Sequence, residues 1–431
     1  MKRSVLLFIL LIAVMGYACK RQAPQKSNDF VRVEDGTFMI GDSIYRFIGT
    51  NFWYGAILAS EGRGGNRERL EAELDLLQEC GINNLRILVG GDGGENIPSH
   101  IMPVLQSAPG VYNDTILDGL DYLLAQLEKR NMKAVLYLNN SWEWSGGYGA
   151  YLEWAGAGEA PNPSIDGYEN YRRYVAQFVL NDSAKKFASD HVKNIVSREN
   201  RYTKKPYSES PAIMSWQIAN EPRAFASDSI TKQAFAQWIG SQAALIKSLD
   251  PNHLVSTGSE GMYGCEVDID LWKQIHSDKN IDYGLIHLWP YNWGWLDEKD
   301  AETNFKSACK NAYEYISSHR TLMDEIGKPM VIEEFGYPRD ESSFAQGSPT
   351  TGRDKFYDYV YSLMINDRLF DGCNFWGWGG YAKPAHENWQ TWDDYTGDPA
   401  QEPQGLNSVF ASDSTTLRVI KNAALKVNGG N

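Results

Sequence analysis

The chain has 431 residues, 42 % of them hydrophobic, and a formal net charge of −14. That length allows one large domain or two ordinary ones around a sizeable core, and the acidic balance argues against a nucleic-acid partner. Aromatic residues reach 13 %, with 14 Trp and 24 Tyr. That exceeds what a core requires, and rings in such excess often line sites for flat, partly apolar ligands such as sugars.

Residues 1–18 have the three parts of an export signal: Lys2 and Arg3, the apolar run VLLFILLIAVMG, and small residues before a cysteine in GYAC. The run is too short to favour a membrane-spanning helix. Cys19 directly after Ala18 resembles the lipidation site of a bacterial lipoprotein, although Gly16 stands where Leu is usual; ordinary secretion with cleavage nearby is the alternative. This makes the chain exported, anchored by lipid at Cys19 in the outer membrane, with the membrane face undetermined. KRQAPQKSN follows as a polar, aperiodic tether, so residues 19–28 link the signal to a domain spanning 29–431.

FVRVEDGTFMIGDSIYRFIG opens that domain with alternating strand character around Asp35-Gly36 and Gly41-Asp42, the mark of small hairpins. Eight strand candidates then succeed one another: YRFIGTN (45–51), NLRILV (84–89), KAVLYLN (133–139), AIMSWQIA (212–219), HLVSTG (253–258), DYGLIHL (282–288), PMVIEE (329–334) and CNFWGW (373–378). Between them lie helical patterns, among them NRERLEAELDLLQECG, ILDGLDYLLAQLEKRN, SAKKFASDHVKNIVSREN, KQAFAQWIGSQAALIKSLD, YEYISSHRTLMDEIG, DKFYDYVYSLMIND and TTLRVIKNAALKV. Strand–helix alternation without an internal Pro/Gly-rich linker predicts an α/β fold, a (β/α)₈ TIM barrel with decorated loops. A doubly wound open sheet is the runner-up, but no glycine-rich phosphate loop follows the first strand. Residues 144–170, rich in Gly and aromatics, read as a long loop after the third strand that would flank the active face.

Catalytic groups of such barrels gather at the carboxyl ends of the strands. WQIANEPR places Asn220 and Glu221 there, because Pro222 lacks the donor that would continue the strand. The seventh strand ends in Glu333 and Glu334, which strand alternation turns to opposite faces. Carboxylates at two strand ends suit glycosidic bond cleavage, where one protonates the departing oxygen and the other attacks or activates water.

These motifs resemble glycoside hydrolase family 5, whose members are retaining (β/α)₈ enzymes. WQIANEPR and VIEEFG are similar to its acid/base and nucleophile motifs. GTNFWYG (49–55), NLRILVGG (84–91), HLWPYNWGW (287–295) and CNFWGWGG (373–380) match the other strand-end motifs in order. NNSWEWSGG (139–147) and EPQGLNSVF (402–410) resemble the endo-β-1,4-mannanase branch. The resemblance implies Glu221 as acid/base and Glu334 as nucleophile, with Glu333 a buried acid behind them. Arg86 would orient Glu334 and keep it ionised, Asn220 would bond the sugar 2-hydroxyl, and Trp376 would be the platform under the sugar at the scissile bond. Arg223 would contact a sugar further along. His287 and Trp289 match a His-x-Tyr pair whose tyrosine hydroxyl contacts the nucleophile; Trp289 has no hydroxyl, but its indole N–H can donate one bond. Trp53, Trp142, Trp144, Trp293 and Trp295 are candidate platforms by position only, and about half should pack elsewhere.

Two alternatives stay open: another β-1,4-glycanase of the same fold, and a non-catalytic glycan-binding lipoprotein, whose expected mark is a lost carboxylate. The seven His and five Cys form no ligand cluster, so neither a metal nor an organic cofactor is expected. Cys80, Cys265, Cys309 and Cys373 leave room for one disulfide. The expected partner is a β-mannan polysaccharide, taken up by a monomer.

Overall fold

The computed structural model describes residues 29–296 and 301–429. The export signal, the lipidation site Cys19 and the tether lie outside these residues.

Eight parallel strands form the core: β1 (Phe47–Asn51), β2 (Asn84–Leu88), β3 (Lys133–Tyr137), β4 (Ile213–Gln217), β5 (Leu254–Ser256), β6 (Gly284–Leu288), β7 (Met330–Phe335) and β8 (Gly372–Phe375). Each falls within or one residue beyond its expected range. The pairing runs β5-β4-β3-β2-β1-β8-β7-β6, which wraps a sheet almost into a closed barrel. At the β5/β6 seam two backbone bonds close the gap: Asp282 N–H donates to the Val255 carbonyl (2.9 Å) and His287 N–H to that of Glu260 (3.2 Å). The chain is thus a (β/α)₈ barrel.

The helices start where polar caps allow. Asn66, Asn113, Asn181, Asp228 and Asp268 each accept a bond from a first-turn backbone N–H, satisfying a donor that the helix cannot pair internally. The helix Ile269–His276 after β5 has no counterpart among the patterns read from sequence. Residues 144–170 are a larger departure. They are not a loop but a short 3₁₀ turn, Glu143–Ser145, and the helices Gly147–Trp154, Pro163–Asp166 and Tyr168–Val175. Glycine spacing hid them, yet Tyr148, Tyr151 and Tyr171 are fully buried and anchor the excursion to the barrel.

The opening residues fold as expected, into an antiparallel sheet of Arg32–Glu34, Thr37–Ile40 and Ser43–Ile44. Asp35 (φ 48°) and Gly36 (φ 72°) make its first turn in left-handed backbone. Phe38 from this sheet is fully buried in one cluster with Phe47, Val135, Leu285 and Val331 from four barrel strands. The hairpin is therefore a stopper on the amino-terminal end of the barrel. That leaves the carboxyl end for chemistry.

Cys80, Cys265, Cys309 and Cys373 are all free thiols, so the disulfide that the sequence left open does not form among the described residues.

Candidate active site

β4 delivers Glu221. Beyond Gln217 the backbone still bonds alternately to both neighbours: Ile218 N–H to Ser256 O, Asn220 N–H to Asn139 O and Glu221 N–H to Gly258 O. The strand therefore extends in effect to the acid, which sits in left-handed backbone at φ 47° just before Pro222. Strain of this kind is held only where surroundings fix it. Here Ser141 Oγ donates to the Glu221 carbonyl at 2.5 Å.

β7 delivers Glu334, and one detail corrects the sequence reading. Ile286 pairs with Ile332, but His287 pairs with Glu334, so Glu333 is an extra residue on β7. Such a bulge breaks the alternation of faces. Glu333 and Glu334 consequently both approach Arg86, at 3.8 and 2.5 Å. Their roles still separate. Glu333 is fully buried and bonded by Gln217 Nε2, whereas Glu334 lines a cleft of about 380 Å³.

Arg86, fully buried on β2, organises this floor. Its fork donates to Glu334 Oε1 (2.5 Å), Asn220 Oδ1 (2.8 Å), Asn51 Oδ1 (3.0 Å) and Gln217 Oε1 (2.8 Å), with the Tyr137 ring 4.3 Å beneath it. Every contact holds one plane, which Lys could not reproduce. Trp289 donates its indole N–H to Glu334 Oε2 at 3.2 Å, filling the place expected of a tyrosine hydroxyl. Gly336 makes room for that ring: a Cβ there would lie 2.6 Å from the Trp289 side chain. Trp289 also meets Trp376 edge to face, centroids 5.9 Å apart, and both line the cleft.

Glu221 is held by His287 Nδ1 (2.9 Å) and by the Trp142 indole N–H (2.5 Å). Burial holds His287 well below its ordinary pKa, helped by the Arg86 charge, so the ring is neutral. Its Nδ1 faces Glu221 and also lies 3.3 Å from Glu334, so the ring bridges the two acids. Glu221, His287 and Glu334 offer donor atoms within 4.8 Å of one another, a spacing that could suit a cation.

Burial raises both carboxyls above the ordinary range, Glu334 the further, opposed by Arg86 and increased by the Glu221 charge. Arg86, expected to keep Glu334 ionised, opposes that rise from direct contact. Burial and the neighbouring carboxylate charge act against the guanidinium, so the protonation of each acid depends on the other. The guanidinium in direct contact favours the charged form of Glu334, whereas Glu221 is met by His287 and the Trp142 indole N–H.

Other candidates divide. Trp142, Trp144 and Trp293 line the cleft. Trp53 does not: it is buried in the core, its N–H bonded to the Gly397 carbonyl, and the substrate-contacting role expected for it is corrected. Trp295 packs against Trp293 and Tyr315. Arg223 lines the cleft but is engaged by Glu260, at 2.6 Å from its Nε. Glu260, Glu143, Tyr168, Asn292 and Glu402 also line the cleft, and sequence reasoning missed them. They lie on excursions after the strands; Glu143, Asn292 and Glu402 stood within quoted motifs, but no role was read for any of the five.

A parallel barrel carrying two buried carboxylates at the ends of β4 and β7 defines the class of (β/α)₈ glycoside hydrolases. Comparison with known proteins agrees. A family profile described as "GH family 5 beta-mannosidase-like" matches residues 28–429. The chain is 28 % identical to mannan endo-1,4-beta-mannosidase 5 of Solanum lycopersicum, covering 86 % of this chain and 87 % of that one. It is 29 % identical to mannan endo-1,4-beta-mannosidase 1 of Arabidopsis thaliana over 77 % and 76 %. Among solved structures, a family 5 mannosidase from Rhizomucor miehei superposes with a TM-score of 0.85 at 32 % identity, covering 94 % and 98 % of the two chains. An endo-beta-1,4-mannanase from Thermotoga petrophila gives 0.67 at 26 %, covering 90 % and 78 %. The chain belongs to glycoside hydrolase family 5.

Proposed function

We propose that the protein is a retaining hydrolase of β-1,4-mannan, with Glu334 as nucleophile and Glu221 as acid/base. The observation that carries this is the spacing of the acids. Oxygens of Glu221 and Glu334 lie within 4.8 Å of each other. Direct attack requires carboxyl groups about 5–5.5 Å apart, whereas inversion needs roughly 6.5–9.5 Å for an intervening water.

Glu221, protonated, gives its proton to the departing oxygen while ionised Glu334 attacks the anomeric carbon. The glycosyl–Glu334 ester is then hydrolysed by a water that Glu221, now a carboxylate, deprotonates. Arg86 and Trp289 orient the two Glu334 oxygens. Asn220, fixed by Arg86 and Asn140, presents its amide for the sugar 2-hydroxyl. Trp376 supplies the ring wall, and Arg223 is a further sugar contact at the cleft.

Mannan is favoured because the curated relatives above are named for it and both solved neighbours are titled for mannosides. A second reading, removal of terminal mannose from short chains, has its own support: the Rhizomucor mannosidase matches at TM-score 0.85 against 0.67 for the Thermotoga endo-mannanase. The test is product release from galactomannan, glucomannan, cellulose, xylan and mannotetraose side by side. Oligosaccharides of mixed length from the mannans support internal cleavage. Mannose alone as first product selects the terminal reading, and release from cellulose or xylan only rejects both. The N-terminal residues support an exported, lipid-anchored form; [³H]palmitate labelling lost on Cys19→Ala tests it.

A further inference from the structure

Trp142 holds the acid/base, so what holds Trp142 bears on the chemistry. Its indole N–H donates to Glu221 Oε2 at 2.5 Å, yet the ring is only half-buried and lies on an excursion rather than on a barrel strand. The Phe225 ring meets it edge-on, at 81° with centroids 5.4 Å apart, and the Arg223 guanidinium lies 5.5 Å from its centre. Phe225 belongs to the excursion after β4, and its backbone is left-handed at φ 55°. A bulky aromatic residue keeps that conformation only where its surroundings fix it. Here the fixing contact is long-range: Phe225 N–H donates to Glu266 Oε1 at 3.0 Å, and Glu266 lies on the excursion after β5. Glu266 and Val267 are themselves left-handed, at φ 56° and 60°. Val267 is 67 % exposed, so packing of its own side chain does not demand that turn. The buried Cys265 and a bond from Val267 N–H to the Met262 carbonyl (2.9 Å) hold the turn in place. What the turn achieves is to aim a carboxylate at Phe225.

Resting on the assignment of Glu221 as acid/base, we propose that Glu266 is a positioning residue for proton donation, acting through Phe225 and Trp142. The contacts run from the Glu266 carboxylate to the Phe225 N–H, from the Phe225 ring to the Trp142 ring, and from the Trp142 N–H to Glu221. Among the described residues neither Glu266 nor Phe225 lines the cleft, so both act at a remove from the sugar. As Glu221 gives up its proton, its oxygens gain charge, and a hydrogen bond to an ionised acceptor is about twice as strong as one to a neutral acceptor. The indole N–H therefore stabilises the outcome of proton transfer more than the start, provided that the ring stays aimed at Oε2. A tilted Trp142 loses that gain, while a step that needs no proton is untouched. Glu266 also strengthens the positive charge of Arg223, whose Nε donates to Glu260 at 2.6 Å. A glutamine at 266 keeps the acceptor and drops the charge, which separates the two influences.

The test compares kcat/KM for phenyl and dinitrophenyl β-mannobiosides, because phenol needs a proton to depart and dinitrophenol does not. The same pair is made as cellobiosides if mannobiosides are not cleaved. Glu266→Ala should lower the phenyl value at least fivefold and the dinitrophenyl value less than twofold. Phe225→Leu, which keeps apolar bulk but removes the ring edge, should show the same selectivity, and Glu266→Gln should stay within twofold of the parent on both substrates. Equal losses on the two substrates mark a purely structural role and overturn the positioning. A Glu266→Gln protein as impaired as Glu266→Ala overturns it too, since the effect then lies in the charge. Should Glu266→Ala fail to fold, Phe225→Leu decides. Glu221→Ala is the control: selectivity there without selectivity in the other variants overturns the positioning alone, and its absence in Glu221→Ala overturns the acid/base assignment beneath it.

Discussion

At the scale of single residues, the acids differ by what touches them. Glu334 has Arg86 and Trp289, Glu221 has His287 and Trp142, and Glu333 has Gln217 below the cleft. Glu221→Ala should therefore keep the first step on an aryl mannoside with a good leaving group, accumulate the covalent intermediate, and be rescued by azide with a β-azide product; absence of rescue by chromatographic product analysis counts against the assignment. Trp289→Phe keeps the ring wall but removes the indole N–H that bonds Glu334 Oε2. Its kcat should fall about tenfold, the rate equivalent of about 1.4 kcal/mol, with a smaller change in KM; steady-state kinetics decide this. Because the protonation of each acid depends on the other, the rate should be bell-shaped, falling in acid as Glu334 is protonated and in base as Glu221 loses its proton. The sequence marked Glu221 and Glu334 because strand-end acids are local signals, while Arg86 came only through the resemblance to the family. Glu260 and Glu143 carried none, since their meaning comes from residues more than 20 positions away: Arg223 and Tyr168.

Among elements, strand and helix periodicity made most of the barrel legible, whereas pairing register was not. The slip between Ile286 and His287 is a relation between β6 and β7, and no pattern within VIEEFG announces it. Gly336 shows the other side, where a glycine's purpose waits on its neighbour. Gly336→Ala should push Trp289 off Glu334 and reproduce the kinetic loss of Trp289→Phe without exceeding it in the double variant, a comparison that a cycle of kcat values checks. The hairpin makes a separate prediction. Phe38→Ala removes a fully buried ring from the stopper and should cost about 3–5 kcal/mol in urea unfolding, while KM for mannotetraose stays unchanged, because the loss is at the opposite end of the barrel from the cleft.

For the whole molecule, function concentrates raised carboxyls in one cleft, and stability should register it. Glu143 and Glu260 are raised to about 7 by burial, and Glu402 to about 8. A group whose pKa is higher folded than unfolded favours the fold below its unfolded value, and that contribution is lost as pH rises through the folded one. The melting temperature of Glu143→Gln relative to the parent should thus rise between about pH 5 and pH 8; a difference that falls over that window contradicts the burial argument.

The central claim is that Glu334 forms the covalent bond, and trapping tests it most directly. The protein is incubated with an activated 2-deoxy-2-fluoro-β-mannoside, digested, and the labelled peptide sequenced by mass spectrometry. The account predicts a single glycosyl ester on Glu334, formed more slowly in Trp289→Phe. A label on Glu333 instead, or time-dependent turnover to an α-configured first product with no label at all, would contradict it.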